Sequence, residues 1–190
     1  MTSRAVAAER TREALLAAGL RIAGEHGLAA MSVNRVVGAA GVAKGTFYVH
    51  FPDRGAFLNA LHERFHEEVA AAVGAAMAPL APGRERLRGG MATYLDLCLR
   101  NNGVKAMLLE ARSDPGVSDQ VTARTSVFAV RAEADLRAMG WPDAASAARL
   151  VVAMSAELSV VETTRGAVDA DGRATLWSFL DRLDLGVAAG

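Results

Sequence analysis

The chain has 190 residues, 52% of them apolar, enough to bury a core in one or two domains and too many for wholesale disorder. Its 21 basic and 21 acidic side chains cancel, which excludes a uniformly basic or acidic molecule. A single cysteine, Cys98, excludes an internal disulfide framework and fits a reducing compartment.

Alanine is abundant and β-branched runs are few, so the expected class is all-α, with about nine helices and no strand. In the first helix Leu15, Ala18 and Ile22 run beside Leu16, Leu20 and Ala23 as two adjoining stripes, ending near Gly24 to Gly27. Ser32 is placed to cap a second helix that stops at Gly41. A very short helix over 43–49 follows. Pro52 then breaks the chain, Asp53 can cap, and a long helix places Phe57, Leu61, Phe65 and Val69 on one face.

Pro79 and Pro82 end that helix. Further helices are expected over 84–101, 104–112 and, after Asp114-Pro115, up to about Met139. Gly140-Trp141-Pro142-Asp143 is a break, and helices over 144–166 and 173–185 complete the chain. The expected division is a head over 1–53, a connecting helix over 54–78 shared by both parts, and a body over 79–190.

Charge follows the same division. Residues 1–66 carry eight Lys/Arg against five Asp/Glu and hold all four histidines, while residues 67–190 carry thirteen against sixteen. A basic head on an acidic body suits a reader of nucleic acid with a separate second domain. The N-terminal MTSRAVAAERTREALL lacks an apolar core of signal-peptide length. The apolar run 150–156 stops at Glu157, short of a membrane span. A cytoplasmic protein with no membrane partner is expected.

The segment MSVNRVVGAAGVAKGTFYVHFPDRGAFL, 31–58, carries the strongest signal. Two short helices joined at Gly41 make a helix-turn-helix, its angle held by a small core of Val36, Val42 and Phe47. The second helix would then enter a DNA major groove. Lys44, one of only two lysines in the chain, opens that helix and can reach a phosphate or a guanine edge. Gly45 permits close backbone approach, and Thr46 can meet a phosphate or a thymine methyl. Tyr48, His50 and Arg54 are candidate phosphate contacts, His50 equally a candidate for a buried structural hydrogen bond.

These residues resemble the TetR family of bacterial one-component repressors. The resemblance covers about 10–65: TREALLAAGLRIAGEHGLAAMSV, the turn AAGVAKGTFYVHF, and a helix opening DRGAFL. It implies a homodimer with an N-terminal double-stranded-DNA-binding head and a ligand-binding body. It carries DNA contacts onto Ser32, Lys44, Gly45, Thr46, Tyr48, His50 and Arg54. Three positions depart from the family pattern. Arg54 replaces the usual lysine, Gly55 weakens the start of its helix, and Val37 stands where a small alanine is usual.

In the body, Tyr94, Cys98, Met107, Phe128 and Met154 are candidates for an apolar effector pocket. Glu157, inside an apolar run, could face a ligand, pair with Arg131 or point to solvent. Leu150, Leu158, Val161, Trp177 and Leu180 are candidates for a dimer face. No nucleophile motif or phosphate-cradling loop is present, and His62 and His66 lack a third ligand for a metal. The expected function is therefore a non-enzymatic, cofactor-free, dimeric transcriptional repressor released by a small, largely apolar effector. An activator or a ligand-independent regulator of the same fold is the alternative.

Overall fold

The computed structural model describes residues 2–27, 30–102, 104, 105 and 115–182, the side chains of 115–125 and 182 excepted. Eight helices and no strand are found among them: α1 (Ser3–His26), α2 (Val33–Ala40), α3 (Lys44–His50), α4 (Arg54–Met77), α5 (Arg84–Arg100), α6 (Pro115–Ala138), α7 (Ala144–Arg165) and α8 (Ala170–Arg182). The all-α expectation holds. Of the additional helix expected over 104–112, only Val104 and Lys105 are described, both in helical conformation.

The boundaries follow local chemistry. Ser32 Oγ accepts the Arg35 N–H at 3.3 Å and opens α2, and Gly41 closes it in the left-handed region at φ 69°. The Val42 N–H then reaches back to the Val37 carbonyl at 3.1 Å, so the turn satisfies an otherwise orphaned group. Asp53 Oδ1 accepts the Ala56 N–H at 2.7 Å at the head of α4, and Asp143 does the same for Ser146 at 3.0 Å at the head of α7. The last helix begins at Ala170, earlier than the expected 173, because Asp169 caps it: Oδ1 accepts the Gly172 N–H at 3.2 Å.

Helices α1 to α4 enclose an aromatic core. Phe47 is fully buried, its ring 5.2 Å from Phe57 and 5.5 Å from Phe51. Leu15, Leu16, Val36 and Leu61 close around these rings, each contributing about 1.5–3 kcal/mol by leaving water. Gly19 lets α1 lie directly on α4, since a Cβ there would stand 2.7 Å from Phe57 Cζ. The same apolar cluster continues along α4 through Phe65, Val69 and Met77 to Cys98 and Val104. A second cluster, including Leu87, Leu95, Leu136, Val151, Leu176 and Leu180, joins α5 to α8.

By length and composition α7 could cross a membrane, contrary to the reading of its short apolar run. In the fold α7 lies against α6, α5 and α8. The two halves of the body are also tied by polar groups. Buried Asp135 on α6 accepts the Gly83 N–H at 2.9 Å and Arg86 Nε at 2.6 Å at the start of α5.

Candidate nucleic-acid interface and body cavity

Phe47 anchors α3 from within, so the opposite side of that helix faces outward. Lys44, Gly45 and Tyr48 are exposed there, while Thr46 and His50 are half-buried. Val49 is 81% exposed on the same side, an apolar contact surface that its hydrophobic character hid in the sequence. Its position four residues after Gly45 and three after Thr46 is the signal that could have found it. Asn34 and Arg35 are exposed at the start of α2.

Ser32 is exposed, yet its hydroxyl is engaged in capping α2. Exposed Arg54 donates from Nε to the Met31 carbonyl at 3.5 Å, joining the start of α4 to the approach to α2. Val37 is buried in the head core, where it packs with Val36. Gly55 has a role of its own: a Cβ at that position would press on the capping Asp53 Oδ1 at 3.2 Å.

The body holds a cavity of about 60 Å³ between α4, α5, α6 and α7. Val73, Met77, Met91 and Val151 form apolar wall, and Tyr94 and Phe128 line it with ring centroids 5.8 Å apart, edge to face. The other pocket candidates stand elsewhere. Cys98 is fully buried in the cluster that continues from α4, Met154 packs beside the second core, and Glu157 is exposed. Met107 lies outside the described residues.

Four polar lining residues fall outside the pocket candidates expected from sequence: His66, Lys105, Arg131 and Ser155. Arg131 does not pair with Glu157. Its Nη1 donates to the Ala70 carbonyl on α4 at 2.6 Å, and its guanidinium packs over Gly74. The buried carboxylate of α7 is Glu162, five residues beyond Glu157, with no exposed surface. Burial pushes the Cys98 thiol above its ordinary pKa, against the opposing field of Lys105 and the influence of the nearby Tyr94 and Ser159 hydroxyls.

Residues 15–61 match the family model of the bacterial regulatory proteins, tetR family. That match falls on the head, within α1 to α4. No curated protein sequence matches the chain, but solved structures match nearly all of it. A transcriptional regulator from Rhodococcus sp. Rha1 is 21% identical with a TM-score of 0.79, covering 90% of this chain and 95% of its own. A TetR-family transcriptional regulator from Rhodococcus sp. is 21% identical with a TM-score of 0.77, covering 92% and 99%. RolR, solved with resorcinol, is 19% identical with a TM-score of 0.67, covering 94% and 89%. The whole chain thus has the fold of the tetR-family regulators.

In the body the candidate dimer residues separate into two groups. Leu158 and Leu180 are buried in the chain's own core, with Leu176 and Val151, and leave nothing for a partner to cover. Leu150 is 67% exposed on α7, and Val161 and Trp177 are half-buried, the latter with the Arg88 guanidinium 5.1 Å above its ring. Phe179 on α8, not among the expected residues, is 52% exposed.

Proposed function

We propose that the protein is a ligand-responsive transcriptional repressor that binds a palindromic operator as a homodimer and is released by a small, largely apolar effector. The observation that carries this reading is the outward side of α3. Lys44, Gly45, Tyr48 and Val49 project from a helix whose other side is fastened by Phe47. That arrangement puts a cation, a close-approach glycine, a phenol and a methyl surface where a major groove would lie. Ser32, Thr46, His50 and Arg54 flank it as phosphate contacts.

Leu150, Val161, Trp177 and Phe179 supply the apolar surface that a second copy would cover. Two heads of such a dimer would address half-sites about 34–36 Å apart. The cavity is the effector site in this reading, supported by its apolar wall and by the resorcinol held by RolR. Arg131 provides the route outward, since it lines the cavity and also holds the α4 backbone at Ala70. Effector and operator then oppose each other through one coupling free energy, equal from either side.

Footprinting on DNA flanking the protein's own gene tests the reading. Protection of a palindrome, weakening steeply as salt rises, is expected. Absence of protection on every genomic fragment would refute it.

A further inference from the structure

We propose that the body cavity receives a small apolar acid, a single ring or chain of similar bulk bearing one carboxylate, with Lys105 and Arg131 holding the charge. The proposal rests on reading the cavity as the effector site and adds the chemical class of what enters it.

Lys105 is only 5% exposed, and it is one of two lysines in the chain. A buried ammonium is costly unless it meets an anion or a full set of acceptors. Among the described residues its hydrogen-bond acceptor is a neutral phenol, Tyr94 Oη at 3.1 Å, and it makes no ion pair with a carboxylate. The neighbouring carboxylate, Glu162, is committed to Arg173 through two hydrogen bonds of 2.6 and 2.8 Å.

The phenol is itself oriented. Ser159 Oγ donates its hydrogen to the Ala156 carbonyl at 2.7 Å, so in the 3.3 Å contact with Tyr94 the phenol is the donor. Tyr94 therefore presents oxygen lone pairs towards Lys105 and cannot offer its hydrogen to a ligand. Recognition at this end of the cavity falls to the ammonium.

Arg131 adds a second positive charge to the same lining, and its Nη1 contact is with a backbone carbonyl. Two cations in a space of about 60 Å³ leave a net positive interior behind hydrophobic walls. An anion relieves that charge, and a charge-assisted hydrogen bond in such surroundings is stronger than one between neutral groups. Size limits the rest of the molecule. The cavity is smaller than the roughly 150 Å³ that admits benzene into a rigid apolar core, so Met77 and Met91 must shift to seat even one ring.

Titration calorimetry on the full chain with benzoate and its neutral counterpart, benzyl alcohol, tests the assignment. Benzoate is expected to bind at least tenfold tighter. Lys105→Gln should abolish that preference and Lys105→Arg should retain it, with folding checked by circular dichroism. If Lys105→Gln fails to fold, the wild-type ratio of the two affinities decides alone. Benzyl alcohol binding as tightly as benzoate would overturn the acid assignment while leaving the cavity a ligand site. Equal binding of acetate would overturn it as a general anion effect. Binding of neither ring compound, with operator binding indifferent to both, would overturn it together with the effector reading.

Discussion

Glu162 on α7 and Arg173 on α8 form a two-pronged ion pair, Nε to Oε1 at 2.6 Å and Nη2 to Oε2 at 2.8 Å. Arg173 Nη1 reaches Asp96 on α5 at 2.6 Å, and the Asp169 N–H adds a third bond to Glu162 at 3.1 Å. The hydrogen bonds to Glu162, foremost, raise the Arg173 pKa and keep its guanidinium charged. Three helices are thus joined through one guanidinium. Arg173→Met would strand the Glu162 charge, and a loss of about 3–5 kcal/mol is expected in urea unfolding. Arg165→Ala, which removes an exposed partner of Asp169, should cost at most about 1 kcal/mol.

Lys44→Ala should weaken operator binding and reduce the slope of log affinity against log salt by about one. The side chain is exposed and takes no part in the head core, so the melting temperature should stay unchanged. Fluorescence anisotropy across a salt series measures the slope. An unchanged slope and affinity would exclude Lys44 from the DNA contact.

The contrast between these two sites shows what the sequence reveals and what it conceals. Head signals are local. Ser32 caps its own helix, Gly41 takes a conformation that favours glycine, and Pro52-Asp53 stops one helix and starts another. Each can be read within four or five residues. Body signals are not local, because α7 meets several helices at once and its apolar period cannot distinguish core, cavity wall and outer surface. Glu157 and Glu162 sit about 140° apart around the helix at 3.6 residues per turn. Both interrupt apolar sequence, and only the distant Arg173 determines which one is buried. Lys105 gives no local sign of its burial either, since a solitary lysine normally lies in solvent.

Gly19→Ala should destabilise the protein by about 1–3 kcal/mol through overpacking. The added Cβ would stand 2.7 Å from Phe57 Cζ and 2.9 Å from Leu61 Cδ2, within a core already filled by rings. Gly24→Ala is the control, because nothing lies within 4 Å of its Cβ position. It should be neutral or slightly stabilising. Thermal melts of the pair separate close packing from the general effect of losing a glycine.

Cys98 should resist Ellman's reagent in the native protein at pH 8 and react as one equivalent in denaturant, because burial disfavours its thiolate. The sign of the pH effect follows. A thiol whose folded pKa is raised contributes stability that is fully present below its unfolded pKa of about 8.5 and is lost as pH rises towards the folded value. Unfolding midpoints should therefore fall above that pH, and Cys98→Ala should flatten the fall. A native thiol that labels at the denatured rate would contradict the burial.

The unbroken apolar seam along α4 bears on how this chain could be recombined with another. Phe57, Leu61 and Phe65 complete the head, while Val73 and Met77 complete the wall of the cavity, all on one helix. A head severed after Asp53 would lose Phe57, one of the aromatic partners of Phe47, and a body beginning there would display its rings to water. A chimera that pairs this head with another sensor should instead be joined in the Pro79–Pro82 turn, carrying α4 whole. Even then the graft brings its own share of the cavity wall, so an exchanged body inherits part of its pocket from the head to which it is attached.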